Sequence, residues 1–177
     1  MNRLQKLESL IQDWLRPFPH LPDNVRKWLA DNIWWMVLVA AFGSAIASLM
    51  VLGGIFAYMS FVGNAPSYNG FYVVSPYSAG WIWTAVVGLL FLAFATVLYS
   101  KAVTPLKEHR GQGWQLLFML LLVAAAKILL DAVLTFSFFA FIFGIIFGAV
   151  GLAISAYFLF EIRSYFVKST RHLHPKK

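Results

Sequence analysis

Cysteine is absent from this chain. That excludes disulfide staples, thiolate nucleophiles and any metal site built on sulfur. Charge is scarce too. Asp, Glu, Lys and Arg make up 12% of the 177 residues, where a water-soluble domain carries about a quarter. The shortage is uneven: residues 59–80 hold no Asp, Glu, Lys or Arg at all, and the long apolar runs on either side are nearly as bare. Carboxylates number only seven, and their placement forms no paired-carboxylate site and no nucleophile–base arrangement. No glycine-rich loop joins a strand to a helix, so no phosphate cradle of that kind is present.

What the chain does have is apolar bulk and clustered basic charge. It is 60% hydrophobic, with a mean hydropathy of +0.73. Thirteen of its fourteen Lys and Arg residues lie in three patches, residues 1–32, 101–115 and 161–177. Basic patches separated by uncharged runs mark a polytopic membrane protein whose basic loops stay in the cytoplasm. The net charge of +7 then reads as topogenic charge plus attraction to anionic lipid head groups, worth ~1 kcal/mol per basic residue near the surface. Nucleic acid is not the expected partner. The first apolar run follows a long polar and amphipathic stretch, so a cleaved signal peptide is not expected.

The spacing predicts four crossings. The first covers residues 33–58, with Asp31 and Asn32 as caps and Trp34 and Trp35 in an interfacial aromatic belt. The second covers residues 81–99, bounded by Trp81, Trp83 and Tyr99; Lys101 ends the apolar run and Pro105 discourages further helix. Residues 116–160 carry only Lys127 and Asp131 as charges. As one helix they would be ~68 Å long, about twice the hydrocarbon thickness. Both flanks are basic, so an even number of crossings is needed. Two helices fit, with a turn near residues 135–139, where Thr135 and Ser137 interrupt the aliphatic run. The expected fold class is all-α: an integral membrane bundle of four transmembrane helices with an N-terminal amphipathic interfacial helix. Residues 1–32 form the cytoplasmic amphipathic helix and Pro-rich linker, 33–160 the transmembrane domain, and 161–177 a basic cytoplasmic tail. The expected location is a bacterial cytoplasmic membrane, with both termini inside.

Outside the spans, Leu4, Leu7, Ile11, Trp14 and Leu15 recur at helical spacing, while Arg3, Lys6, Glu8, Gln12 and Asp13 face away. Pro17, Pro19 and Pro22 follow as a stiff linker. A second amphipathic piece at residues 24–31 sets Val25, Trp28 and Leu29 against Arg26 and Lys27. Both pieces suit helices lying on the inner leaflet; docking on a protein partner is the alternative. The uncharged outer loop contains Asn69-Gly70 between β-prone residues, a hairpin signal. Its tyrosines and Phe71 are read as interfacial anchors, with lipid or glycan contact as the alternative.

Few residues are candidates for chemistry. Lys127 and Asp131 are four apart and share a helix face, which Thr135 extends by a turn. Each charge costs ~2.5–3.5 kcal/mol at mid-bilayer on insertion scales, so the two are expected to face protein and pair. A structural ion pair and a transport site are both consistent with that. Small-residue stripes run through two spans: Ala40, Ser44 and Ser48 in the first, and Gly144, Gly148, Gly151 and Ser155 in the last. They let helix backbones approach closely, within the bundle or, through Gly144 and Gly148, in a homo-oligomer. His20, His109, His172 and His174 fall in loops or the tail and form no metal site. Glu108 and Glu161 read as isolated loop charges. No cofactor is implied.

The loop Thr104-Pro105-Leu106-Lys107-Glu108-His109-Arg110-Gly111-Gln112-Gly113-Trp114-Gln115-Leu116-Leu117-Phe118 is the most distinctive stretch. Together with Asn24-Val25-Arg26-Lys27-Trp28-Leu29-Ala30 and Glu161-Ile162-Arg163-Ser164-Tyr165, it resembles uncharacterised small four-helix membrane proteins of candidate-phyla bacteria. The resemblance covers most of the chain in layout. It implies the four-helix architecture and brings no activity and no catalytic residue. The sequence therefore points to a non-enzymatic membrane scaffold or interaction subunit, with the lipid bilayer, anionic head groups or another membrane protein as partners. The alternative is a small-solute or proton-coupled transporter built on Lys127 and Asp131.

Overall fold

Helix formation follows the apolar runs and overshoots them. The computed structural model describes residues 3–63, 67–68, 71–72, 77–134 and 138–166. In order these form α1 (Arg3–Leu15), α2 (Asp23–Gly63), the two-residue strands β1 (Ser67–Tyr68) and β2 (Phe71–Tyr72), α3 (Tyr77–Lys107), α4 (Gly111–Leu134) and α5 (Phe138–Glu161). Helices α2 to α5 supply four segments long and apolar enough to cross a membrane. The chain is a multi-pass helical membrane protein. β1 and β2 pair antiparallel, Ser67 opposite Tyr72 and Tyr68 opposite Phe71. The Asn69-Gly70 pair that the hairpin reading rests on lies outside the described residues.

Two expected helix boundaries are wrong, for reasons visible in the side chains. Asp31 and Asn32 do not cap a helix; they lie inside α2, which starts at Asp23. The Pro22 carbonyl accepts from Val25 N and Arg26 N, both at 3.0 Å, and Asp23 places negative charge at the positive end of the helix dipole. Asn32 is tolerated because its amide donates to the Trp28 carbonyl (2.8 Å) and accepts from Trp35 Nε1 (3.1 Å). Asp31 is met by His109 Nε2 at 3.1 Å. The separate amphipathic piece at residues 24–31 is thus the first turns of α2, and the boundary drawn between 32 and 33 falls within that helix. Its 41 residues span ~62 Å, well beyond a hydrocarbon core of ~30 Å.

Pro105 does not stop α3 either; the helix runs through it to Lys107. The carbonyl that loses its donor belongs to exposed Lys101. The helix closes with a Schellman cap instead. His109 adopts φ 52°, Arg110 N donates to Pro105 O (2.8 Å) and His109 N to Leu106 O (3.0 Å). Helix α4 starts at once, and Gly113 lets it sit directly on the last turn of α3. A Cβ at Gly113 would lie 2.8 Å from Leu106 N and 2.9 Å from two Leu106 side-chain atoms.

Neighbours in sequence are neighbours in space: α2 packs on α3, α3 on α4 and α4 on α5. Between α2 and α3, Thr96 Oγ1 lies 2.9 Å from Ser44 Oγ, so the Ser44 stripe meets a polar partner across the helix pair. The buried core is not at mid-bundle. It comprises Ala30, Val37, Ala102, Leu106, Trp114, Phe118, Leu159, Ile162 and Phe166, all toward the end that carries the basic patches. Ile162 and Phe166 are 1% and 0% exposed, so residues 161–166 belong to this core and not to a free tail. Toward the other end the helices expose Phe42, Leu49, Met50, Phe143 and Phe147, the surface a lipid tail would meet.

Gly113→Ala tests the tight α3–α4 turn. The backbone atom in its way cannot rotate aside, so the change is expected to cost ~1–3 kcal/mol, read as a lower Tm in detergent. Gly144→Ala, where nothing lies within 4 Å of the added carbon, is expected to be neutral or stabilising by up to ~1 kcal/mol through helix propensity.

Candidate functional site

The densest polar arrangement is built around Glu161, at the end of α5. Its side chain is 5% exposed. His20 Nδ1 donates to Oε1 at 2.6 Å, the Leu21 amide donates to Oε2 at 3.2 Å, and Arg26 Nε stands 3.7 Å from Oε2. One carboxylate thus gathers the proline-rich linker and the first turn of α2 onto α5. Tyr157 adds a hydrogen bond to the Pro19 carbonyl (2.6 Å) and Tyr165 a longer one to the Asp23 carbonyl (3.4 Å). Burying a carboxylate is costly unless it is paired and hydrogen-bonded, and Glu161 is both. Reading Glu161 as an isolated loop charge is therefore a mistake. Its partners lie 135 to 141 residues away in sequence, and no local pattern links them.

Helix α1 reaches the same place. Leu15 is buried, Ile11 packs on the core, and Glu8 pairs with Arg163. The Arg163 guanidinium lies 5.4 Å from the centre of the Trp114 ring. Trp114 is 2% exposed; its indole N–H donates to the Leu159 carbonyl at 2.9 Å, one of the orphan acceptors at the end of α5. Phe118 stacks on it and Phe160 meets it edge-on. On the far side of the core, His109 stacks on Phe166 at 5.6 Å while holding Asp31, and Lys107 sits over the Trp34 ring at 5.4 Å. His20 and His109 therefore bind carboxylates of other elements. Glu108 pairs with Arg110 at 2.6 Å. His172 and His174 lie outside the described residues.

Lys127 and Asp131 do pair, along α4. Their side chains are 35% and 34% exposed. Lys127 lines a cavity of about 110 Å³ between α3 and α4, whose other walls include Phe91, Leu92, Tyr99 and Leu120. That lining is apolar. Thr135 lies outside the described residues. In the glycine stripe, Gly148 faces α4: a Cβ there would come within 2.7 Å of Ile128 Cγ2. Gly144 and Gly151 have open space at that position, and Ser155 donates to the Gly151 carbonyl. Gly148, Gly151 and Ser155 border a larger, open apolar cleft of about 710 Å³, lined by Leu29, Ile33 and Met36 of α2, Tyr99 of α3 and the α4 face from Leu117 to Ile128. Among the described residues, no three of His, Asp and Glu come together to hold a metal.

Two experiments weigh these sites. Glu161→Ala removes the contacts to His20 and Arg26 and leaves the Leu21 amide without its acceptor, and an unsatisfied donor of this kind costs ~1–3 kcal/mol. A lower Tm and faster proteolytic cutting within residues 16–22 are expected; an unchanged cutting rate would mean that Glu161 does not hold the linker. For the α4 pair, Lys127→Met and Asp131→Leu are each expected to lower Tm in detergent, and the double variant to recover much of the loss. Purely additive losses would show the two charges to be uncoupled.

No family model matches the chain, and neither does any curated protein or any solved structure.

Proposed function

We propose that the chain is a non-enzymatic membrane scaffold or interaction subunit, inserted with its basic end in the cytoplasm and holding α1 at the level of the lipid head groups. The observation that carries this reading is the division of the apolar arc of α1. One edge, with Ile11 and Leu15, packs on the bundle. The other edge stays uncovered: Leu7 is 44% exposed, Leu10 61% and Trp14 57%. Phe18, just past the helix, continues it at 46%. These positions fall within one sector of a helix with 3.6 residues per turn. An apolar sector beside basic Lys6, attached to a chain that crosses the bilayer, is suited to the interface plane. The basic residues of the three patches supply attraction to an anionic leaflet. The bacterial cytoplasmic membrane is the location this orientation fits, since short-loop Lys and Arg remain inside.

The transporter alternative draws on Lys127 and Asp131. The cavity that Lys127 lines is apolar and small, which favours a structural pair over a hydrated path. Orientation is tested by cysteine labelling. A cysteine at Ser67 is expected to react with a membrane-impermeant thiol reagent in intact cells, and one at Gln112 to stay protected; the reverse pattern would invert the topology. Placement of α1 is tested by spin-label depth at Leu10. Leu7→Asp with Trp14→Asp is expected to move that label into water while the four spans still insert. A label that is aqueous in the unaltered chain would make α1 a partner-docking helix.

A further inference from the structure

Two cavities meet beside α1, one polar and one apolar. The polar chamber holds about 470 Å³ and is lined by Arg16, His20, Arg26 and Arg163, with Asp13 and Glu161 among them. The apolar groove holds about 480 Å³ and runs over Trp14, Phe18, Pro19, Ala153, Ile154 and Phe158. Leu15 and Tyr157 are walls of both. Along α5 the chamber lies at the charged end and the groove begins a turn or two further into the apolar span. A charged chamber that shares two walls with an apolar groove further into the span matches the two halves of a glycerophospholipid.

The charges narrow the head group. Glu161 is occupied by His20, the Leu21 amide and Arg26; Arg26 also pairs with Asp23, and Arg163 with Glu8. Arg16 and Asp13 form no ion pair or hydrogen bond among the described residues, and both are exposed. They stand three positions apart at the end of α1. One cation and one carboxylate are thus left to face the chamber. We infer that this site binds a glycerophospholipid whose head group carries a phosphate and a primary ammonium. The Arg16 guanidinium donates to the phosphate oxygens, the ammonium donates to Asp13, and one acyl chain lies along Phe18, Ile154 and Phe158. A quaternary ammonium offers Asp13 no N–H. A purely anionic head group can meet Arg16 in the same way but brings no cation to Asp13. Volume also selects the occupant. The groove is about three times the ~150 Å³ that holds a benzene ring in an engineered apolar cavity, enough for one acyl chain. A helix ~10 Å across would fit for little more than a turn.

The inference rests on α1 lying at head-group level, and its test separates the two. Full-length protein, stripped of lipid in detergent, is titrated with phosphatidylethanolamine, phosphatidylcholine and phosphatidylglycerol of identical chains, with bound lipid counted by native mass spectrometry. Phosphatidylethanolamine is expected to bind about tenfold or more tightly than the other two, the effect of one charge-assisted hydrogen bond. Arg16→Gln is expected to weaken all three about fivefold, the worth of one basic residue near a lipid phosphate. Asp13→Asn is expected to erase the preference for phosphatidylethanolamine, and Ala153→Phe, which fills the groove, to weaken every lipid. Neither charge change breaks an internal contact, so Tm should hold. Equal binding of the three lipids overturns the proposal. So does an equal loss from Lys27→Gln, which removes an exposed charge that does not line the chamber, and so does full competition by free phosphoethanolamine. If any of these occurs while the Leu10 label stays at the interface, the scaffold reading stands and the lipid site does not.

Discussion

Hydrocarbon gives apolar side chains no reason to leave it, and this constraint shapes the whole molecule. Between helices inside a bilayer there is no hydrophobic driving force; packing, small residues and polar contacts must hold them together. Water returns at the basic end, and the hydrophobic effect returns with it. The buried core of Ala30, Leu106, Trp114, Ile162 and Phe166 sits there, and mid-bundle is left with lighter devices such as the Ser44–Thr96 contact and Gly148 against Ile128. The split between an ordinary packed core at one end and lipid-facing helices at the other follows from where the solvent changes.

That core also explains why polar groups concentrate beside it. Helices α3 and α5 end there, and ends leave carbonyls without partners. Trp114 takes one from Leu159, and the His109 turn closes those of α3. Glu161 gathers the donors that the linker and α2 bring in. Each arrangement satisfies groups that would otherwise be buried alone, at ~1–3 kcal/mol apiece. The same residues fix geometry: the Gly113 contact sets the distance between α3 and α4, and Arg163 over Trp114 ties α1, through Glu8, to the start of α4.

Charge distribution made the four crossings legible, because insertion costs act residue by residue and leave their record in the sequence. The split of residues 116–160 into two helices followed from that record alone. The turn between them is bracketed by the end of α4 at Leu134 and the start of α5 at Phe138. Local signals misled where a distant side chain answered them. Asp31 looks like a cap until His109, 78 residues away, supplies its partner. Pro105 looks like a stop, yet the helix runs through it and closes only at a cap four to five residues later. Glu161 looks like loop charge because its partners come from the other end of the chain. The pattern of α1 was legible as an apolar arc, but its division between protein and surroundings was not, since Leu15 and Leu10 are the same residue type. The Lys127–Asp131 pair was legible from spacing, and its apolar walls from Phe91 and Leu120 were not.

The placement of α1 bears on how the chain would respond to its surroundings. The helix is held on one edge by Leu15, whose full burial is worth ~1.5–3 kcal/mol, by the Glu8–Arg163 pair and by the linker clasped at Glu161. Its other edge gains comparable apolar contact only if lipid covers Leu7, Leu10 and Trp14. The two edges do not compete, because they lie side by side on the same arc and neither must be released for the other to be covered. Bundle contacts therefore pre-position the exposed edge, and the cost of ordering α1 is met within the chain itself. A free amphipathic peptide of 13 residues would be only marginally helical in water. Attached in this way, it presents its apolar edge as a fixed surface, tied through Glu8 and Arg163 to Trp114 at the start of α4.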